Sequence, residues 1–412
     1  MQKINYKSLI LFLFFFLYAL IESKGGGDFK LFLEASKDLF EGKNIYTETY
    51  NEWYHYYYDL FFAIIIYPLS FLPLYVAKFI WISFNIFFVY KTWNLLSSWI
   101  PIELLSEKSV NILRFLVWFF MLRFLRDNLH LCQMTISVLF LSLKGLDLIK
   151  EKKIVLGSLF ISVGISVKIL PIVLIPYLLY RSYFKSSILI LVFVVSLQFL
   201  PALVLNFNYL IFLLEQRITS LNPANTNHIL DTSERSFHSL TTLLSTLLIE
   251  NCGDSHALLL KRNFANITLN NLKIIIQVVR LVLVLFSIYF LKNTLFRTQV
   301  RKLDSLYELS YIFLIVPLIF PHQQHYAFYF IFPAIVYLAF YWVYFYENAE
   351  KKRGEFKFAL LISFGFIVYF LTNCHLILGA FNEYYDHFKI LTYGVMLLIP
   401  LLVYSSPKKL NL

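Results

Sequence analysis

Long uninterrupted apolar runs restrict this chain more than any other feature. Residues 9–21 and 187–205 contain no charged side chain, and 274–291 contains only Arg280. A helix that crosses a bilayer needs roughly 20 mostly apolar residues. A membrane β-barrel would alternate apolar and polar residues instead. With 59% hydrophobic and 15% charged residues, the chain departs from the roughly 45–50% and 25% of soluble domains. A soluble or disordered protein is excluded. Only 12 Gly and 12 Pro exclude a collagen-like or linker-rich chain. The expected fold is all-α, a polytopic helical membrane protein forming a single domain over residues 1–412.

The net charge of +11 would point to nucleic acid in a soluble protein. Here the basic residues fall mainly in short loops between apolar runs, where they orient a membrane protein, so no nucleic-acid partner is expected. The three cysteines, Cys132, Cys252 and Cys374, have neither the number nor the spacing of a disulfide framework or a zinc site.

The first run, 8–22, reads as a retained signal anchor with its N-terminus in the cytoplasm. Further expected spans are 75–96, 110–126, 131–149, 154–168, 170–184, 187–205, 272–291, 306–320, 326–345, 358–378 and 389–404. Alternating about twelve spans puts both termini in the cytoplasm. Lys150, Lys152, Lys153, Arg181, Lys185, Lys292, Arg297, Arg301, Lys302, Lys351, Lys352, Arg353, Lys408 and Lys409 then fall inside. The outside connections 321–325 and 379–388 carry no Lys or Arg, which satisfies the positive-inside rule. Two large outside segments remain, 23–74 and 206–271. In the first, 29–42 and 60–72 are expected to lie along the membrane interface as helices. In the second, Ser239–Glu250 is expected to be helical.

Ionisable residues within or beside the spans gather at the outer ends: Asp28, Arg123, Arg126, Asp127, His130, Lys168, Arg235, His322 and His325. Such a belt suits a reaction on a lipid-linked anion at the interface. Asp28 follows Gly25-Gly26-Gly27 directly after the first span. It can cap the helix over 29–42 or present a carboxylate to a substrate. Lys168 interrupts an apolar stretch and needs an anion or an interfacial position. Pro171, three residues later, breaks the helix and puts Lys168 near its end. His322 and His325 occupy the short turn Pro321–Tyr326. A metal would need a third ligand, and no acidic residue stands beside them, so hydrogen bonding to phosphate or sugar hydroxyls is expected. Arg126 and Arg235 offer cations for a phosphate.

Taken in order, these pieces resemble glycosyltransferase family 87, within the membrane-embedded GT-C superfamily. The matching residues begin with Asp28, Ala35 through Leu39, Gly42 and Ile45-Tyr46. They continue with Tyr58, Tyr67-Pro68-Leu69, Leu72-Pro73, Trp81, Asn85 and Gln133. Gly157, Lys168-Ile169-Leu170-Pro171, Arg235-Ser236, Leu240, and Pro321 with His325-Tyr326 and Pro333 complete them. Departures are Cys132 where the family has Gly before Gln, Thr135 where it has Asn, and Tyr56-Tyr57-Tyr58-Asp59 in place of a Tyr-Pro-Pro segment.

The resemblance implies a polyprenyl-phosphate-linked sugar donor, carrying mannose or another hexose or pentose, and a glycolipid or glycan acceptor. It implies transfer with inversion at the outer face of the cytoplasmic membrane. Asp28 is then the general base. Lys168, Arg235, His325 and Arg126 are candidates for the donor phosphate, and His322, Gln133 and Tyr58 for other substrate contacts. No cofactor and no dedicated metal site are expected, because no second acid stands beside Asp28. Two rival classes remain: a lipid or polysaccharide transporter, which would pair charges at mid-membrane, and a glycan polymerase or ligase using lipid pyrophosphates, with Arg235 as its arginine.

Overall fold

The computed structural model describes residues 6–50, 54–220, 237–250, 252, 258–291, 296–298, 301–348, 363, 365 and 378–410. Among these residues the chain is helical, and an isolated bridge between Tyr50 and Tyr54 is the sole β pairing. Contacts divide it into two compact units, Met1–Leu95 with Arg126–Asn222, and Leu96–Leu125 with Pro223–Leu412.

The first unit opens with α1 (Tyr6–Glu22), α2 (Phe29–Phe40), α3 (Leu60–Ile66) and α4 (Leu74–Ser97). Helix α5 (Glu107–His130) runs across the boundary in sequence. After it come α6 (Thr135–Lys150), α7 (Ile154–Val167), α8 (Leu174–Tyr180), α9 (Phe184–Phe199) and α10 (Phe207–Ser220). The backbones of α6 and α7 touch at two glycines. A Cβ on Gly157 would lie 2.5 Å from the Gly145 carbonyl oxygen, so no larger residue fits that crossing. Ser162 on α7 donates to the Ile190 carbonyl of α9 at 3.1 Å, which ties a third helix to the pair. Pro171 cannot donate to the carbonyl of Val167, and α7 stops there. Asp59 starts α3 by accepting from the Phe61 amide at 2.9 Å.

The second unit holds most of α5, then α11 (Leu240–Leu248), α12 (Leu269–Leu291), α13 (Lys302–Ile319), α14 (Phe332–Asn348), α15 (Asn382–His387) and α16 (Ile390–Tyr404). A 3-10 turn, His325–Ile331, leads into α14. Ser239 caps α11 by accepting from the Thr242 amide. Leu248 of α11 packs with Leu272 and Ile276 of α12 in a small core.

Four stretches are long and apolar enough to cross a membrane: Leu74–Ser97, Phe184–Leu203, Leu269–Leu291 and His325–Asn348. Two bent pairs raise this to six if each is one span. Glu107–His130 with Thr135–Lys150 bends by 116°, and Gly379–His387 with Ile390–Tyr404 by 77°. The stretch from His325 is 83% buried, whereas those over 184–203 and 269–291 are 22% and 17% buried. Ile188, Leu191, Val195, Ile274, Val278, Leu281 and Leu285 are exposed. Apolar surface on that scale belongs in hydrocarbon rather than water, and the chain is a membrane protein. Helices also occupy the expected spans 8–22, 154–168, 170–184 and 306–320, but they are too short or too polar for this measure. The expected span 358–378 lies outside the described residues apart from 363, 365 and 378.

Candidate functional site

In the first unit the loop after α1 is fixed from several sides. Lys78 of α4, 2% exposed, donates to the Gly25 carbonyl at 2.6 Å and also to that of Gly26. His130 Nδ1, at the end of α5, lies 2.5 Å from Glu22 Oε1. Gly27 has φ +107°, and a Cβ there would stand 2.6 Å from the His130 carbonyl oxygen. Only glycine accepts that conformation and that approach without strain.

Asp28 therefore leaves the loop in a fixed position at the start of α2. It occupies the N-cap position, but its side chain makes no cap hydrogen bond. It accepts instead from Gln133 Nε2 at 2.6 Å. Gln133 is 1% exposed, in the turn between α5 and α6. Its Oε1 accepts from the Tyr58 hydroxyl at 2.6 Å. The amide thus has its nitrogen on the carboxylate and its oxygen on the phenol; flipping it would put oxygen against oxygen at Asp28. Cys132, just before it, has φ +53°, the left-handed region that favours the glycine of the family pattern. Trp81 Nε1 donates to the Cys132 carbonyl at 2.8 Å and holds the turn.

Tyr58 is packed edge-on against Phe32, with centroids 5.1 Å apart. Lys168 Nζ sits 5.8 Å from the centre of the Tyr58 ring, within cation–π range. Lys168 follows α7 as its C-cap, with extended backbone at φ −147°. So Asp28, Gln133, Tyr58 and Lys168, drawn from four places in the sequence, form one connected group. Asp28, Tyr58 and Lys168 are partly exposed residues, whereas Gln133 is buried.

Two predicted residues, Arg126 and Arg235, are not seen in this group, and two other carboxylates of the unit are engaged elsewhere. Arg126 is exposed on α5, and Arg235 lies outside the described residues. Asp38 forms a surface ion pair with Lys43 at 2.7 Å. Asp59 is buried with Arg217 Nη1 and Gln198 Nε2, each 2.6 Å from its Oδ2. Burial raises the Asp59 pKa above the ordinary carboxylate value, against Arg217, Gln198 and the Phe61 amide. These contacts suit Asp59 to holding α3, α9 and α10 together.

The second unit corrects the reading of the histidine turn. His322, with φ +55°, stacks on Phe237 at 5.1 Å. His325 is buried, and it does have an acidic neighbour: its Nε2 is 3.5 Å from Asp386 Oδ1. The same oxygen is 3.4 Å from His238 Nε2. No local spacing links these three, and neither His238 nor Asp386 was singled out from the sequence. His238 stands three residues beyond Arg235 and directly before the expected helix Ser239–Glu250. Burial pushes the His238 ring down to about 4, with Lys389 and Arg123 acting the same way and Asp386 against them.

The sequence from 56 to 303 matches glycosyltransferase family 87. That is more than half of the chain. The protein belongs to glycosyltransferase family 87. As a member of this family it is a glycosyltransferase that uses a sugar donor and an acceptor. Tyr58, Gln133 and Lys168 lie within the matched segment of the glycosyltransferase, whereas Asp28 precedes it and His322, His325 and Asp386 follow it. No curated protein and no solved structure matches the chain.

Proposed function

We propose that this glycosyltransferase moves a hexose or pentose, mannose being the first choice, from a polyprenyl-phosphate carrier to a glycolipid or glycan hydroxyl. The reaction takes place at the outer face of the cytoplasmic membrane, on a chain of about twelve spans with both termini inside. Membrane lipids surround it, and 23–74 carries its helices along the interface.

The observation that carries this reading is the Asp28 carboxylate, which stands at a helix N-terminus without capping it and is held by Gln133. A sugar hydroxyl has a high pKa, so a base must take its proton as the new bond forms. A single carboxylate suffices for inversion, because the hydroxyl attacks the anomeric carbon opposite the leaving phosphate. Gln133 fixes the angle of the carboxylate, and Tyr58 fixes Gln133. Lys168 supplies a positive charge for the departing phosphate, where a charge-assisted contact strengthens as charge develops. Tyr58 adds an aromatic face of the kind that sugar rings pack on. Arg126 and Arg235 stand as further cations for the phosphate. The polymerase or transporter readings gain no specific support from the described residues.

The test is to incubate membranes holding the protein with radiolabelled polyprenyl-phosphate sugars and follow label into lipid-soluble glycan. Transfer from the lipid phosphate, absent with nucleotide sugars, is the expected result. Transfer only from a nucleotide sugar or a lipid pyrophosphate would replace this donor assignment. Topology is tested separately with single cysteines in intact cells: Asn44→Cys should react with an impermeant reagent and Lys152→Cys should not.

A further inference from the structure

His238, His325 and Asp386 meet in the second unit, away in sequence from the Asp28 group, and His325 is also the residue that the family resemblance offers to the donor phosphate. All three are buried. Asp386 Oδ1 lies 3.4 Å from His238 Nε2 and 3.5 Å from His325 Nε2, and a ligand atom from each falls within 4.8 Å of the others. Neither separation is a well-formed hydrogen bond. His238 Nδ1 and Nε2 and His325 Nε2 are buried without a hydrogen-bond partner. Buried polar nitrogens in that state are costly unless something else satisfies them. A ligand shared between the rings would satisfy the two Nε2 atoms.

The spacing indicates the kind of ligand. Nitrogen and oxygen ligands stand roughly 2.0–2.2 Å from zinc, so neighbouring donors on a tetrahedron are about 3.3–3.6 Å apart. Two of the separations already have that value. Two imidazoles and one carboxylate suit zinc and its neighbours among the transition metals; calcium and magnesium favour all-oxygen shells.

The surroundings hold the three donors in place. Asn382 Nδ2 donates to Asp386 Oδ2 at 3.2 Å, which orients the carboxylate and leaves Oδ1 directed at the rings. The His238 backbone is fixed at both ends: its amide donates to the Gln323 carbonyl at 2.8 Å, and its carbonyl accepts from Thr392 Oγ1 at 2.6 Å. The Tyr385 ring packs beside both histidines, and Arg123 lies over that ring, 5.2 Å from its centre.

We propose that His238, His325 and Asp386 bind a divalent transition-metal ion of the zinc class, with the fourth tetrahedral position left for a non-protein ligand. Two neutral imidazoles and one carboxylate leave a dication with net positive charge. Arg123 and Lys389 add to it, so the fourth ligand is an anion, a phosphate oxygen or hydroxide. His325 is shared with the donor-phosphate reading, but the test reads binding of the ion and not sugar transfer, so the two can fail separately.

The experiment uses the full-length protein in detergent without a polyhistidine tag, stripped with a chelator and reloaded with zinc alone or cobalt alone. Elemental analysis should give one zinc per chain, and cobalt should show the intense visible absorption of a tetrahedral site. His238→Gln and Asp386→Asn should each weaken zinc binding at least about tenfold. Substoichiometric zinc in the unaltered protein, or octahedral cobalt absorption, would overturn the site. So would stoichiometric zinc that survives both substitutions. The cobalt spectrum of the unaltered protein decides the matter even if a variant does not fold.

Discussion

Asp28 and Asp386 are both carboxylates held by a side-chain amide, yet their surroundings differ in kind. Asp28 is partly exposed, and the polar atoms behind it are matched: Gln133 joins it to Tyr58 through two hydrogen bonds of 2.6 Å. Asp386 is buried, and the ring nitrogens facing it at 3.4 and 3.5 Å are not matched. A carboxylate that must accept a proton from a substrate needs access and a fixed angle, and its supporting bonds are already complete before the substrate arrives. Two imidazoles that converge on one carboxylate oxygen at 3.4 and 3.5 Å, with ring nitrogens lacking a well-formed hydrogen bond, suit the ion proposed above. The comparison sets the proposed site of reaction against the proposed site of ligation, and substitutions can break or sharpen it.

The largest expected effect is at Asp28. Asn keeps the shape and can still accept from Gln133, but it cannot take a proton. Asp28→Asn should lower turnover about 10²–10⁴-fold, with thermal stability and bound metal unchanged. Steady-state transfer assays check this, and a fully active variant would remove Asp28 as the base.

Next comes Lys168→Met. Loss of a charge-assisted contact of about 1.5–3 kcal/mol corresponds to roughly 10–150-fold in donor affinity. Titration of the lipid-phosphate donor should show this loss. Unaltered donor KM and kcat would mean that Lys168 only reaches toward the interface past the Tyr58 ring.

Replacing buried polar side chains by leucine should then act unequally in the two regions. Gln133→Leu leaves the Tyr58 hydroxyl and Asp28 without their amide, and should lower stability by about 1–3 kcal/mol. His238→Leu in metal-stripped protein should change stability by no more than about 1 kcal/mol, because no hydrogen bond of the ring is lost. Thermal unfolding with and without zinc measures both. Equal destabilisation of the two stripped variants would show that the His238 ring is satisfied after all and erase the contrast. The smallest effect is thus also the most discriminating.

Much of this arrangement is legible along the chain. The run 274–291 becomes the helix Leu269–Leu291, and Pro171 ends α7 so that Lys168 is its C-cap. The segments 29–42 and 239–250 become helices with ends two residues short of those expected. Run length, proline and capping residues act within a few residues of themselves, so the sequence displays them directly. The same holds for Asp28, marked by its glycines, and for the family pattern through Tyr58, Gln133 and Lys168.

What the sequence determined by itself, then, was a helical membrane protein of glycosyltransferase type and the identity of several polar residues set against an apolar background. Whether Asp28 would cap its helix or turn to a partner was decided only by tertiary structure, because Gln133 lies 105 residues away. The His238, His325 and Asp386 cluster was decided there too. Its members sit on a loop, a 3-10 turn and a short helix far apart in the chain, and no local periodicity records their meeting. Helix packing brings such side chains within a few ångströms of each other, and packing depends on the whole set of buried faces rather than on any neighbouring residues.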